Sequence, residues 1–320
     1  MNIDSSFRCY ICYGKTMNEE YHSACLRKLF NTEQLPDINF SNQDIASMAL
    51  EYIKERRGLP GVQKKISLSL ETFKKERGIG SRLTLIGYLG GEYILKPPSV
   101  DYPYMPEIEH LTMHLAEIAK IIVPPHGLIK MTSGELAYII KRFDRQGKKK
   151  IAVEDLCQLS SKMTEDKYKS SSENVGKILR KYSKNPGEDL LKFFELILFS
   201  FLVGNADMHL KNFSLLTEQP DNIKFSPCYD LLATKLLIPT HIDPEELALP
   251  INGKKSNLRK KDFLAFAENL KILPKVANYS MESMRSCFSV WENKINQSFL
   301  SQKLKESFKE LIAKNSHRLD

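Results

Sequence analysis

Near the middle of the chain, Gly204-Asn205-Ala206-Asp207-Met208-His209-Leu210-Lys211-Asn212-Phe213 places a carboxylate and an amide five positions apart, just after a strongly apolar run. Transfer of a phosphoryl group from ATP needs those groups. It requires a cation on the phosphates, oxygen ligands for Mg²⁺ and a base beside the attacking hydroxyl. Asp207 can accept the hydroxyl proton, and Asn212 can offer its amide oxygen to the metal. Asp230, closing Phe225-Ser226-Pro227-Cys228-Tyr229-Asp230, is a second acid suited to the same metal. The cation is read at Lys96, which ends a short strand before Pro97-Pro98. Glu109, about one turn into the next helix, can pair with it and aim the ammonium, with Glu107 and Glu117 as competitors. Each residue also has a plainer reading. Asp and Asn are common in turns, a Tyr-Asp at a strand end often caps a helix, a lone lysine usually lies on the surface, and His209 can simply brace its loop.

A second group of reactive side chains sits at the start. Cys9-x-x-Cys12 and His22-x-x-Cys25 hold half of the chain's six cysteines in a short stretch. Thiolates and imidazole at this spacing fit a tetrahedral Zn²⁺ site with two knuckles, structural because all four positions are filled. The alternative is free intracellular thiols and a surface histidine. Cys157, Cys228 and Cys287 lack such spacing and read as small buried hydrophobes.

The elements that must hold these residues are legible in outline. Residues 1–41 form a Cys/His segment and a connector. A helix is expected from about Asn42 to Arg57 and is broken by Gly58, Pro60 and Gly61. Ile66-Ser67-Leu68-Ser69-Leu70 alternates as a strand should. Gly90-Gly91 reads as a hairpin turn joining Leu83–Leu89 to Glu92–Lys96. A helix begins near Pro106 and runs to about Ile122, and Leu136 to Arg142 is another strand. Beyond Phe143 the pattern turns helical, at Asp189–Val203, Arg259–Leu270, Met281–Gln297 and Leu300–Lys314. A strand-rich segment 42–143 followed by a helical segment 144–320 predicts an α+β, bilobed molecule with a cleft between its lobes.

Composition limits the partners. At 320 residues and 42% hydrophobic, the chain can bury a sizeable core, and 27% charged residues is ordinary for a globular protein. The net charge of +8 favours acidic partners. The short clusters Lys64-Lys65, Lys148-Lys149-Lys150, Lys254-Lys255 and Lys260-Lys261 are scattered, however, so no direct nucleic-acid contact is expected. The greasiest segment, Leu190 to Val203, carries Lys192 and Glu195 and is too short to span a bilayer. Six cysteines without regular pairing suit a reducing, cytoplasmic compartment.

Five blocks in order, supported by the tail Leu249-Pro-Ile-Asn-Gly-Lys-Lys255, carry a family resemblance. They are Gly61-Val-Gln-Lys-Lys65, Ile94-Leu-Lys-Pro97, Arg142-Phe-Asp-Arg145, Val203 through Phe213, and Pro227-Cys-Tyr-Asp230. Over roughly residues 58–265 the chain resembles the HipA-type serine/threonine kinase toxins, most of all the short HipT-type toxins. The resemblance implies a protein-kinase-like fold with a strand-rich N-lobe and an all-helical C-lobe. It implies Asp207 as catalytic base, Asn212 and Asp230 as Mg²⁺ ligands and Lys96 as the ATP lysine. Pro60, Gly61, Val62, Gln63, Lys64 and Lys65 would form the phosphate loop. Lys141, Arg142 and Phe143 would meet the adenine at the hinge, and His209, Lys211 and Tyr229 would be further nucleotide contacts. It also implies an antitoxin partner and a protein substrate such as an aminoacyl-tRNA synthetase. Many members inactivate themselves through hydroxyls in the stretch matched here by Gly58-Leu59-Pro60, which has none. Lys141 stands where an acidic hinge residue is common, and the longer N-terminal subdomain of full-length HipA is missing. Small-molecule kinases of the aminoglycoside and choline type share the Asp-x-x-x-x-Asn loop. A non-catalytic nucleotide-binding module is the remaining alternative.

Overall fold

The computed structural model describes residues 7–38, 40, 44, 65–75, 78–86, 90–147 and 149–320. The expected helix at 42–57, apart from residue 44, and the phosphate-loop residues Pro60 to Lys64 lie outside these. The chain divides into two compact units. The first holds residues 1–110, 124–143 and 297–299, and the second holds 111–123, 144–296 and 300–320.

The first unit is built on a six-stranded sheet. After helix α1 (Ser23–Phe30), the strands are β1 (Asp37–Ile38), β2 (Ile66–Lys75), β3 (Gly78–Leu85), β4 (Tyr93–Lys96), β5 (His126–Lys130) and β6 (Leu136–Lys141), in the order β1-β3-β2-β4-β6-β5. All neighbours are antiparallel except β1 and β3. The expected hairpin across Gly90-Gly91 does not form. β3 and β4 lie on opposite sides of β2, which pairs Leu68 with both Leu85 and Tyr93. Gly91, at φ +63°, lies so close to the β2 backbone that a Cβ there would stand 2.2 Å from the carbonyl oxygen of Leu68. This glycine permits a close crossing of the chain over a strand.

The N-terminal Cys/His segment shares the sheet's core. Cys9, Ile11, Tyr21, Leu26, Leu29 and Phe30 are buried in one cluster with Leu68, Tyr93, Leu95 and Ile139. The Tyr93 hydroxyl donates to the Leu29 carbonyl at 3.0 Å, and the Leu128 N–H donates to the Tyr10 carbonyl at 3.0 Å. Leu26, Leu29 and Phe30 enter this core at the i, i+3, i+4 spacing of α1, a period that the more conspicuous Cys/His motif overshadows.

Helix α2 (Met105–Ile118) follows β4. Pro106 falls in its first turn, where a missing N–H costs nothing.

The second unit is mainly helical: α3 (Ser172–Tyr182), α4 (Pro186–Val203), α5 (Lys260–Asn269), α6 (Pro274–Ser286), α7 (Phe288–Gln297) and α8 (Gln302–Ser316). It also holds a short ribbon, β7 (Arg145–Gln146) with β8 (Lys149–Lys150). A three-stranded antiparallel sheet is formed by β9 (Ala152–Asp155), β10 (Ser214–Gln219) and β11 (Asn222–Phe225). The continuous helix expected over Met281–Gln297 is two helices, divided at Cys287, and the first of them starts seven residues earlier at Pro274. The polar stretch 274–280, with Tyr279 exposed, masks that start.

Helix α4 is buried almost all round, as its unbroken apolar run requires. Phe193 packs edge-on against Phe213, Phe225 and Phe266 at 5.3 to 6.3 Å. Its one buried carboxylate, Asp189, accepts from the Ser183 hydroxyl and from the Phe225 N–H at 2.8 Å, tying the helix to β11. At the other end, the Asn315 side-chain amide donates to the Phe201 carbonyl at 2.8 Å.

Gly204 stops α4 in the left-handed conformation (φ +71°), with its N–H bonded to the Phe201 and Ser200 carbonyls. A Cβ there would meet Leu311 Cδ2 at 2.7 Å. Gly204→Ala should cost about 1–2 kcal/mol from backbone strain alone, seen as a lower urea midpoint for the purified chain. An unchanged midpoint would contradict the strain.

Candidate phosphoryl-transfer site

In the first unit, Pro97-Pro98 ends β4 at Lys96, and α2 then presents Glu109 to it. Both side chains are almost fully buried, at 2% and 1% exposure, and the Lys96 Nζ is hydrogen-bonded to Glu109 Oε1. The ammonium also lies 5.5 Å from the centre of the Tyr138 ring, on the β6 residue paired with Lys96. Of the three glutamates weighed from the sequence, Glu109 is the partner. Glu117 instead accepts from His114 at 2.9 Å, and burial raises the carboxyl of Glu107 above the usual range.

At the end of β6, Lys141 donates its backbone N–H to the Pro125 carbonyl, and Arg142 donates its own to Glu92. Both backbone donors are thus engaged within the first unit. Burial lowers the Lys141 ammonium below its ordinary range, and its Nζ reaches Asn31 Oδ1 at 3.4 Å. Phe143 begins the turn that follows, and Lys65, half-buried, directly precedes β2.

In the second unit, the β10–β11 hairpin collects the remaining groups. Asn212 and Phe213 lead into β10, while Ser226 to Asp230 leave β11. The Ser226 N–H donates to the Ser214 carbonyl at 2.9 Å, holding the two loops at one end of the hairpin. The Tyr229 hydroxyl fastens them again, sharing a 2.5 Å bond with the Ser214 hydroxyl and donating to the Lys211 carbonyl at 3.0 Å. The Asn212 side-chain N–H donates to the Asp207 carbonyl at 2.9 Å, closing the loop on itself. Asn212 is left with its amide oxygen as the atom to offer a cation. Asp230 holds a left-handed conformation (φ 57°), uncommon outside glycine.

Asp207 is exposed at the loop tip. Its backbone is fixed by Asn205 Oδ1, which accepts from the Asp207 N–H at 3.2 Å, and by Thr234, whose hydroxyl oxygen accepts from Ala206 N–H at 2.9 Å. The Tyr168 hydroxyl donates to Asp207 Oδ1 at 2.5 Å, with its ring edge-on to His209. Tyr168, Asn205 and Thr234 were not legible as site residues. Tyr168 in particular sits in a lysine-rich stretch that reads as solvated surface. Tyr168→Phe should release the carboxylate to other rotamers. It should lower turnover about fivefold, the worth of one hydrogen bond near 1 kcal/mol, and leave the KM for ATP unchanged. Unaltered turnover would deny Tyr168 a positioning role.

His209 is buried, and its Nδ1 has no hydrogen-bond partner among the described residues. Burial drives the imidazole down to about 4, against the upward pull of Asp207 and Asp230. The ring is therefore neutral at pH 7. From about pH 4 to the ordinary value of 6.5, the unfolded chain binds a proton that the folded chain refuses. Stability should accordingly rise with pH through that window. A ring-proton NMR titration with its midpoint near 4 would agree, and a midpoint at 6.5 or above would not. Lys211 pairs with Asp155 at 3.3 Å, where Asp155 also caps the helical turn Leu156–Leu159.

Chemically, the second unit brings toward one hairpin end a carboxylate at a loop tip, an amide oxygen and a second carboxylate, with a neutral imidazole that feels the charge of both acids. These are hard oxygen donors of the kind Mg²⁺ takes when it bridges to phosphates. Elsewhere in the first unit, Cys9, Cys12, His22 and Cys25 come together with all donor atoms within 4.8 Å of one another. A groove of about 650 Å³ near Arg259, Lys261 and Arg318 contains none of these residues. Among the described residues, no helix is long and apolar enough to cross a membrane.

Comparison with known proteins identifies the family. A Sinorhizobium fredii protein described as "Putative kinase Y4dM" is 32% identical over 253 residues, covering 74% of this chain and 59% of its own length. A Haemophilus influenzae protein described as "Putative kinase" is 30% identical over 208 residues, 56% of this chain and 60% of its own. The chain thus spans about three-fifths of the length of these relatives. Among solved structures, HipA of Shewanella oneidensis MR-1, in complex with HipB and operator DNA, matches with a TM-score of 0.68 at 19% identity. That match covers 86% of this chain and 70% of HipA. The Helicobacter pylori proinflammatory kinase CtkA matches with a TM-score of 0.51 at 17% identity, over 73% of this chain and 90% of its own. Both likenesses are of fold. The family model for the HipA-like C-terminal domain matches residues 58–291, and the chain belongs to the HipA-like family.

Proposed function

We propose that the chain is an ATP- and Mg²⁺-dependent serine/threonine protein kinase of the cytoplasm, acting as the toxin of a toxin–antitoxin pair. The observation that carries this reading is the hairpin end at which Asp207, Asn212 and Asp230 are gathered, each by bonds that fix its loop. Asp207 orients the attacking hydroxyl and takes its proton as the bond to phosphorus forms. Asn212 Oδ1 and the Asp230 carboxylate would hold Mg²⁺, which supplies positive charge to the phosphate oxygens. The role proposed for Lys96, hydrogen-bonded to Glu109, is to balance charge on the triphosphate. Neutral His209 adds no charge of its own beside the acids.

The partner reading follows the likeness to HipA, whose solved complex contains HipB. An antitoxin protein is the corresponding partner here, and a component of translation such as an aminoacyl-tRNA synthetase is the corresponding substrate. Phosphoproteomics after brief induced expression tests activity and target together. The expected result is a small set of new phosphoserines or phosphothreonines, absent when Asp207 is Asn. No new phosphoprotein, with phosphorylation of an aminoglycoside or choline by the purified chain, would replace a protein substrate with a small alcohol.

A further inference from the structure

The four side chains near the N-terminus have geometry that the phosphoryl-transfer reading does not use. A tetrahedral Zn²⁺ site, with bonds of about 2.3 Å to sulfur and 2.0 Å to nitrogen, sets its donors roughly 3.5–3.8 Å apart. Here the Cys12 and Cys25 sulfurs lie 3.2 and 3.9 Å from His22 Nδ1, and the whole set falls within 4.8 Å.

The surroundings prepare these atoms as ligands. His22 Nε2 is 3.0 Å from the Lys15 carbonyl oxygen, which can only accept. Nε2 therefore carries the proton, and Nδ1 turns a lone pair toward the sulfurs. A backbone acceptor behind a metal-binding imidazole is the usual way its tautomer is fixed.

Backbone N–H groups are directed at two of the sulfurs. Cys9 Sγ accepts the N–H groups of Ile11 and His22, each at 3.4 Å, and Cys12 Sγ accepts that of Gly14 at 3.4 Å. The chain reverses at Tyr13, whose φ of 63° is left-handed, and the Cys9 N–H returns to the Gly14 carbonyl at 2.9 Å. At Gly14 a Cβ would stand 3.1 Å from the His22 ring and 3.3 Å from Cys12 Sγ, so glycine keeps room beside the ligands. Cys25 lies in the first turn of α1, which places its sulfur one helical turn after His22.

From this geometry we infer that Cys9, Cys12, His22 and Cys25 form a closed structural Zn²⁺ site that clasps the N-terminal segment onto the sheet carrying Lys96. Binding by three thiolates and one neutral imidazole releases three thiol protons and leaves one net negative charge. Every coordination position is taken by protein, so the metal has no place for a substrate. Its role is mechanical. Ile11 and Leu29 press against Gly127 of β5, where a Cβ would meet them at 2.9 and 3.1 Å, and the metal holds both flanks of that contact.

The test is metal analysis of the chain purified without chelators or metal resins. About one zinc per chain is expected. Co²⁺ exchange should give the intense visible bands of a tetrahedral thiolate site together with a sulfur-to-cobalt charge-transfer band. Cys25→Ser should lose most of the metal, while Cys287→Ser keeps it. Stripping the metal should lower the melting temperature by several degrees and open Cys12 and Cys25 to alkylation. If Cys25→Ser does not fold, the wild-type stoichiometry and the cobalt spectrum decide alone. Less than a tenth of an equivalent of zinc after incubation with Zn²⁺, with alkylation equally fast with and without the metal, would overturn the site. These measurements use no ATP, so their outcome is independent of phosphotransfer.

Discussion

Asp207→Asn should reduce phosphotransfer by about 10²–10⁴-fold, the range set by loss of a general base, with ATP affinity within about twofold of wild type. Asparagine keeps the size of the side chain and can still accept the Tyr168 hydroxyl that reaches Asp207 Oδ1 at 2.5 Å. What it loses is the negative charge and the ability to take a proton. The loop should keep its shape, because its bonds run through the Asp207 backbone: the N–H to Asn205 Oδ1 and the carbonyl to the Asn212 amide. Single-turnover transfer measured beside equilibrium nucleotide binding separates the two effects. A variant turning over near the wild-type rate would remove Asp207 from the chemistry.

Lys96→Met should have two consequences of different kinds. The first is on stability. Removing one partner of a buried ion pair leaves the other charge without its counter-ion, at a cost of about 3–5 kcal/mol. Glu109, 1% exposed, is such a partner. The double variant Lys96→Met with Glu109→Leu should recover much of that loss, because an apolar pair asks for no desolvated charge. The second is on function. Without the ammonium, ATP binding and transfer should fall, and the double variant should not restore them. Urea unfolding and transfer rates, measured on the same three proteins, distinguish the roles. Equal stability of single and double variants would mean that the pair is not coupled as its geometry indicates.

What the sequence disclosed depended on how locally each feature is encoded. The strand at Ile66–Leu70, the strand stopping at Lys96 and the long apolar helix ending at Val203 carry their signals within a few residues, and they stand where the periodicity and the Pro-Pro and Gly breaks put them. Strand pairing is not local. Gly90-Gly91 has the composition of a hairpin turn, yet β4 pairs with β2, and the missing Cβ at Gly91 lets the chain pass close to the Leu68 carbonyl. The short strands β10 and β11 carry a weak apolar signal, since Leu215, Leu216 and Phe225 are their well-buried apolar residues beside the buried Ser214. Helix α3 was hidden for a related reason. Ser170-Ser171-Ser172 reads as linker, but the Ser171 hydroxyl caps the helix by accepting from the Asn174 N–H. At the proposed site, Asp207, Asn212 and Asp230 are candidates on residue type and order alone. The contacts that hold them come from Tyr168 and Thr234, dozens of residues away in the chain, and no spacing rule reaches that far.

The most direct test of the phosphoryl-transfer centre is a transfer assay with ATP labelled at its terminal phosphate. The purified chain is incubated with Mg²⁺ and cell lysate, beside parallel samples lacking Mg²⁺ and containing the Asp207→Asn protein. The account predicts label in acid-stable serine or threonine linkage on a discrete protein, abolished in both controls. A folded wild-type chain that binds ATP but moves no phosphate to protein or small alcohol would contradict it.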